Sequence, residues 1–257
     1  MGDNDTNAPR SQGGPKNPPK DSLRGPLPKR FYKDAARIEK QGGFEIALDG
    51  RPVRTPLKRV LRLTDEVFAD LVVSEWAGQG EFIDPATMPA TRLANSAADT
   101  VTDSRAAVAA EIIAYAGSDL LCYRAANPSG LAARQAEIWD PILAAVEARI
   151  GARFVRAEGI VHVTQPAAVA ERVADAVEGL SELQLAAVQL LTTLTGSAVL
   201  AIALAHNLIG ADAAWAAAHV DEDWQISLWG TDEEAEARRA LRERDFRAAA
   251  ATFSHLR

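Results

Sequence analysis

The sequence predicts an α+β protein, with a small antiparallel β-rich N-terminal domain followed by a larger all-helical C-terminal domain. Short runs of alternating character flank Asp49-Gly50, a dipeptide that suits the positive φ angles of a tight hairpin turn. Helix-capping residues and glycine stops recur from Thr64 onward. Residues 183–211 contain no Asp, Glu, Lys or Arg, which favours a central helix surrounded by other helices.

The chain divides into three predicted parts. Residues 1–27 are rich in proline, glycine, asparagine and lysine and lack an apolar run, so we expect a disordered tail. Residues 28–80 form the β-rich domain, which includes a strand at residues 60–63. Residues 81–257 form the helical domain, in which residues 152–165 are expected to make a short hairpin or to join the first sheet.

Several helix boundaries follow from local signals. Thr64 is predicted to cap the first helix, and the helical region at residues 89–116 is expected to break near Asp103. An amphipathic helix covers residues 131–150, and Pro141 within it predicts a kink or a break.

Two capping boxes are predicted nearer the C-terminus. Ser181 with Gln184 is expected to open the uncharged helix, and Thr231 with Glu234 is expected to open the last one. Asp212 is predicted to start the helix between them, which runs to Gly230.

Composition excludes some classes of function. The net charge is −7, so a basic nucleic-acid-binding surface is not expected. The single cysteine, Cys122, cannot form an intramolecular disulfide, which favours a reducing compartment, and we expect a cytoplasmic protein without a targeting peptide. The uncharged stretch is long enough to span a bilayer, but its glutamines, threonines and asparagine favour a bundle centre, and no membrane insertion is expected.

Motifs that carry chemistry are missing from the sequence. It contains no phosphate-binding loop, no GxGxxG, no HExxH and no GxSxG, and its four histidines lack metal-ligand spacing. Cys122 lies in an apolar run that is typical of a protein core. We therefore expect no cofactor and no enzymatic activity.

One segment, DEDWQISLWG at residues 221–230, sets three carboxylates beside two tryptophans. On a continuous helix from Trp215, Glu222 falls within an apolar stripe that ends at Trp229. A buried carboxylate must be paired, protonated or exposed. The residues leave three interpretations: an internal salt bridge to an arginine, a partner surface, or an enzyme site with Glu222 as general acid or base. Examples of such an arginine are Arg92, Arg134 and Arg238.

A second candidate surface lies on the helix after Pro89. Arg92, Asn95 and Asp99 share one helical face at spacings of three and four residues. Polar residues on one face are typical of a solvated surface, and the alternative is that they anchor an adjoining segment.

A family resemblance is carried by several segments in order along the chain. They are RPVRTP, SEWAGQGEFIDPATMPATRLANSAAD, YAGSDLLCYRA, the Trp139-Asp140-Pro141 triplet, the uncharged helix and DEDWQISLWG. Together they resemble the ATP synthase assembly chaperones that bind the alpha subunit of the soluble catalytic head.

The resemblance implies a non-enzymatic chaperone. Members of that family bind the unassembled alpha subunit, keep it from aggregating and yield it to the beta subunit, and the eukaryotic members are mitochondrial. An acidic residue in the C-terminal region is implicated in this action, and it is carried over here to Glu222, with Gln225 and Trp229 around it. After Gly230 the family pattern of acids and a His-Asp pair is only partly present, with Glu233 matching. Arg92, Asn95 and Asp99 complete the predicted partner-binding set.

Overall fold

The computed structural model describes residues 26–159 and 161–254. The predicted disordered tail therefore lies outside the described residues except for Pro26 and Leu27. In chain order the elements are β1 (Ala35–Lys40), β2 (Gly43–Leu48), β3 (Arg51–Pro52), β4 (Arg62–Leu63), α1 (Glu66–Ala77), α2 (Pro89–Ser96), α3 (Thr102–Ala116), β5 (Tyr123–Arg124), α4 (Ser129–Ile150), β6 (Ala157–Glu158), α5 (Ala167–Glu178), α6 (Glu182–Thr195), α7 (Ala198–Ala205), α8 (Ala211–Ala218), α9 (Val220–Trp229) and α10 (Glu233–Ala251).

The N-terminal strands form an antiparallel sheet in which β2 pairs with β1, β3 and β4. The turn between β2 and β3 is made by Asp49 and Gly50, with φ of 46° and 77°, as the dipeptide predicts. Helix α1 packs on β1 and β2. The predicted α+β class, with a small antiparallel region ahead of a helical one, is confirmed.

Helix α1 is joined to α2 by a carboxylate. Glu75 accepts hydrogen bonds from the backbone amides of Ala90 and Thr91 and from the Thr91 hydroxyl, each 2.7 Å long. These amides are free at the start of a helix, so Glu75 caps α2 from a neighbouring element. The cap of α1 itself is Asp65, one residue after the predicted Thr64.

The long helical region after Pro89 changes geometry twice. A π-helical turn, Ala97–Val101, separates α2 from α3, and Ser104 within α3 has non-helical dihedral angles (φ −136°, ψ 32°). The break predicted near Asp103 is thus one residue away. Helix α4, in contrast, continues through Pro141 without a break.

The single central helix predicted from the uncharged stretch is wrong, because α6 ends at Gly196 and α7 begins after Ser197. Gly196 adopts the left-handed conformation, with φ of 69°, and the Ser197 side chain accepts a hydrogen bond from the Leu200 amide. Fully buried Asp119 holds this junction by accepting from the Ser197 hydroxyl and the Val199 amide, and burial raises its pKa to about 6. The capping box of Ser181 with Gln184 is confirmed.

Both halves of the uncharged stretch are core elements. Every residue of α7 is buried, and the α6 core positions belong to the same apolar cluster as the inner face of the β-sheet. In the described part of the chain, none of the helices has the length and apolar content needed to cross a membrane.

Among the described residues of 152–165, the short hairpin that was predicted there is not formed. Instead β6 pairs in parallel with β5, which lies just before α4, and this segment does not join the first sheet. The hairpin was inferred from local alternation around Gly159, and local alternation does not specify the partner of a strand.

Candidate partner-binding site

The candidate site is a groove between α9 and α10 at the C-terminal end of the fold. Three of the predicted residues, Glu222, Gln225 and Trp229, line it together with Ile226 of α9. The volume of the groove is about 450 Å³. On the α10 side it is lined by Ala235, Glu236 and three arginines. Trp229 is 82% exposed, an unusual state for the largest apolar side chain.

The groove exists because the helix predicted to run from Asp212 to Gly230 is interrupted. His219 has φ of −117° and ends α8 before α9 begins. Trp215 and His219 therefore lie in the core, with ring centroids 3.9 Å apart and ring planes tilted by 45°, whereas Trp229 lies in the groove. The apolar stripe predicted on one continuous helix is wrong as a single surface, since its first half is core and its second half is groove.

Helix α9 is fixed to α4 by the first acid of the segment and by its first tryptophan. Gln135, which is buried, donates a hydrogen bond of 2.7 Å to Asp221. The Trp224 ring lies over Gly130, where an added Cβ would come within 2.7 Å of the ring. Asp221 and Trp224 are therefore structural.

Helix α9 is fixed to α10 by the third acid. Asp223 accepts a hydrogen bond of 2.5 Å from Arg239. Between the helices, Gly230 has φ of 84° and ψ of −179°, a conformation open essentially to glycine alone. The predicted capping box on Thr231 is off by one residue, because Asp232 accepts from the amides of α10.

Glu222 is the one acid of the three without a hydrogen bond among the described residues. Its carboxylate is 3.8 Å from His219 Nε2 and 4.0 Å from an Arg242 nitrogen, and its side chain is 54% exposed. None of the predicted arginines reaches it: Arg92 and Arg238 pair with other acids. The three arginines named as examples do not pair with Glu222, but Arg242 lies at the limit of salt-bridge distance, so the internal pair remains an alternative for a carboxylate that lines the groove.

Burial favours the neutral form of His219, the histidine beside Glu222, near pH 7. Its Nδ1 lies 2.8 Å from the Trp215 carbonyl oxygen, which can only accept, so Nδ1 carries the hydrogen and Nε2 turns a lone pair toward Glu222. Burial lowers the pKa of His219, and the Trp215 hydrogen bond opposes this only in part.

Some of the charged side chains that line the groove have hydrogen-bond or ion-pair partners, and others do not among the described residues. Arg238 pairs with Glu234, Arg239 with Asp223, and Arg242 donates to the Leu194 carbonyl oxygen at 2.6 Å. Asp232 is occupied as a helix cap. Glu222 and Glu236 are the lining acids without a hydrogen bond in the described chain. The groove thus combines an apolar floor with three acids and three arginines, and Glu222 lies 4.0 Å from one of these arginines, Arg242.

Glu236 was missed by the sequence reasoning, which stopped at Glu233. Glu233 is exposed in the first turn of α10 but is not among the residues that line the groove. The signal that indicates Glu236 is its spacing of three residues from Glu233, which places it near the helix face that carries Arg239.

The second predicted surface does not join the groove. Arg92 pairs with Asp245 of α10, and buried Asp99 accepts hydrogen bonds from the Thr55 hydroxyl at 2.7 Å and from the Leu57 amide at 3.0 Å. Asn95 has a buried oxygen without a hydrogen-bond partner in the described chain. Arg92 and Asp99 therefore anchor adjoining segments, and any further role of the three in partner binding stays a prediction.

The side chains of the groove are suited to binding a protein more than to catalysing a reaction. In the described residues, no group of three or more His, Cys, Asp or Glu side chains is placed to hold a metal ion. Cys122 is buried, and its pKa is raised to about 12 by burial and by Asp119, so its thiol stays protonated. An exposed tryptophan that lines a groove is typical of a protein-binding surface.

Comparison with known proteins gives relatives over nearly the whole chain. The model of the ATP12 chaperone protein family matches residues 29–147. A solved structure from Agrobacterium tumefaciens, described as a chaperone, has 44% identity and a TM-score of 0.85 over 91% of this chain and 88% of that one. Atp12 from Paracoccus denitrificans has 38% identity and a TM-score of 0.81 over 90% of this chain and 99% of that one.

A more distant relative comes from a eukaryote. The mitochondrial protein atp12 of Schizosaccharomyces pombe is 24% identical over 226 residues, which are 82% of this chain and 78% of that protein. With solved relatives 38% and 44% identical along most of their length, the chain belongs to the ATP12 chaperone family.

Proposed function

We propose that this chain is an assembly chaperone that binds the unassembled alpha subunit of the F-type ATP synthase catalytic head. It shields the interface of that subunit from aggregation, and the beta subunit displaces it. Membership of the ATP12 chaperone family supports the chaperone role, and the α9–α10 groove supports the place of contact.

One observation supports this site of contact with the alpha subunit: Trp229 and Glu222 line the same groove. Trp229 is exposed, and Glu222 has no hydrogen bond within the described part of the chain, its nearest cation being Arg242 at 4.0 Å. An exposed apolar surface of this kind costs free energy in water unless a partner covers it. The alpha subunit would insert an apolar side chain against Trp229 and Ile226 and place a basic group near Glu222.

The same apolar and charged contacts would allow the chaperone to release the alpha subunit. Contacts that combine apolar area with a half-exposed charge give moderate affinity, because the charge keeps part of its hydration in the free chaperone. The incoming beta subunit competes for the same surface of the alpha subunit, so no nucleotide is needed to drive release. We propose that the action is non-enzymatic for this reason.

The proposed location is the cytoplasm. The bacterial origin of the Agrobacterium and Paracoccus relatives supports it, while the relative in S. pombe is mitochondrial.

Light scattering by the isolated alpha subunit tests the protective role. We expect an equimolar amount of the chain to suppress the rise in scattering on warming, whereas serum albumin at the same concentration does not. Unchanged aggregation in the presence of folded chain would contradict the proposal.

A further inference from the structure

Two further grooves, called the paired grooves below, lie on the other side of α10. One groove, of about 530 Å³, lies between α10 and the segment after α1, and the other, of about 510 Å³, lies between α10, α1 and the start of α2. Arg244 lines both. At 100° per residue, Arg244 projects from α10 opposite to Arg239 and Arg242, so α10 separates these grooves from the one that contains Trp229.

The walls of the paired grooves are largely apolar. Leu27, Pro85 and Leu241 line the first groove, and Leu71 and Pro89 line the second. Leu241 is 52% exposed and Leu27 is 40% exposed, so this apolar surface is in contact with water. Two exposed leucines that line one groove form a surface that a partner side chain can cover.

The carboxylates along these walls already have partners. Asp245 pairs with Arg92, and Glu243 accepts from Arg247 at 2.9 Å. Glu75 is occupied as the cap of α2.

The remaining acid of the walls is held as well, because Asp84 accepts from the Ala86 amide at 2.9 Å. Of the cations, Arg92 and Arg247 are used in the pairs already described. Arg244 is the one charged side chain of the two grooves that has neither a hydrogen bond nor an ion pair in the described part of the chain.

We propose that the paired grooves form a second docking surface, whose occupant is a protein segment with an acidic residue next to an apolar side chain. The apolar side chain lies between Leu27 and Leu241, and the carboxylate pairs with Arg244. Charge complementarity selects this occupant: a basic segment would find no free carboxylate here and would place its charge against Arg244.

The guanidinium group of Arg244 is better suited to pairing with a carboxylate than a lysine ammonium group would be. Its planar fork can donate two parallel hydrogen bonds to one carboxylate, and it is less strongly hydrated than a lysine head group. Because α10 separates the two sites, a single partner that spans the helix would contact Trp229 and Glu222 on one side and Arg244 on the other. This inference does not depend on the identity of the partner in the Trp229 groove.

Nuclear magnetic resonance on the full chain tests the proposal directly. The probes are two blocked tetrapeptides, one of alternating leucine and glutamate and one of alternating leucine and lysine. We expect the acidic peptide to cause saturable shifts of the Leu241 methyl and Arg244 Nε signals, with affinity at least about fivefold above that of the basic peptide. Arg244→Gln should remove this preference, and Arg172→Gln, an exposed arginine of α5, should leave it intact.

Three results would overturn the proposal. One is the absence of shifts at Leu241 and Arg244 up to about 10 mM acidic peptide. Another is an equal response to both peptides, or a response that Arg244→Gln does not change while circular dichroism shows the variant folded. The third is concentration-dependent dimerisation that Arg244→Gln abolishes in sedimentation, since the occupant would then be a second copy of this chain.

Discussion

Arg239 of α10 donates a hydrogen bond of 2.5 Å to Asp223 of α9. The three consecutive acids, Asp221, Glu222 and Asp223, therefore differ in their contacts. Asp223 holds the wall of the groove together, and Asp221 holds α9 to Gln135 of α4. Glu222, between them in sequence, points into the groove without a hydrogen bond among the described residues. Two acids thus hold the walls of the groove, and the third lines it.

Glu222→Gln is expected to weaken binding of the alpha subunit while leaving the fold intact. The change removes a charge that faces the groove, and we expect a loss of about 5- to 30-fold in affinity. The melting temperature should move by no more than about 2 °C, because a half-exposed side chain with no hydrogen bond contributes little to stability. Titration calorimetry and thermal unfolding give the two readouts.

Glu234→Gln is the matched control for this charge. Glu234 is 81% exposed, pairs only with Arg238 on the next turn, and does not line the groove. An equal loss of affinity in both variants would show that net charge, not the position of Glu222, determines binding.

Trp229→Ala is expected to reduce affinity more than any single charge change. A tryptophan at the centre of an interface commonly contributes 2 kcal/mol or more, so the loss should reach about 30-fold. Stability should hardly change, since the ring has little protein contact to lose. Leu228→Ala is the control: Leu228 is exposed on the same helix but lies outside the groove, and similar losses in both variants would contradict the assignment.

Gln135→Leu is expected to destabilise the fold. The buried amide accepts from the Ala125 amide at 2.8 Å and donates to Asp221, so its removal leaves polar groups without partners. Such a loss costs about 1–3 kcal/mol, or several degrees in melting temperature for a chain of this size. Differential scanning calorimetry should show this, and Gln41→Leu, in the exposed first turn, should show little change. A melting temperature equal to that of the wild type would contradict the structural role.

His219 is expected to make stability fall on acidification. Burial lowers its pKa in the folded state, so the unfolded chain takes up the proton first as the pH falls below about 6.5. The stabilisation is complete above that pH and is lost as the pH falls toward the lowered value. His206 has a lowered pKa too, so the comparison is between wild type and His219→Gln. Urea unfolding at pH 7.5 and 5.5 should show a smaller decrease for the variant, and equal decreases would contradict this account.

Features that depend on local sequence were predicted well. The Asp49-Gly50 turn and the Ser181–Gln184 capping box follow from φ preferences and from hydrogen bonds between close neighbours, and both are present. The helical projection placed Glu222 and Trp229 on one stripe, and both line one groove, but it assumed a helix that does not continue through His219 and it did not predict their exposure.

Features that depend on distant partners were not predictable in the same way. The break between α6 and α7 is held by Asp119, a residue more than seventy positions earlier, through hydrogen bonds that no local pattern reveals. The parallel pairing of β6 with β5 and the Asp223–Arg239 contact have the same character. Sequence periodicity indicated which residues lie together on one helix but not which neighbouring element each of them contacts.

The most direct test of the central claim is a two-step binding measurement. The chain is mixed with isolated alpha or beta subunit at micromolar concentration and run on a size-exclusion column with light-scattering detection, and beta subunit is then added to any complex. We expect a one-to-one complex with alpha, none with beta, and release of the free chain when beta is added. Equal binding of both subunits, or no complex with folded alpha subunit, would contradict the account.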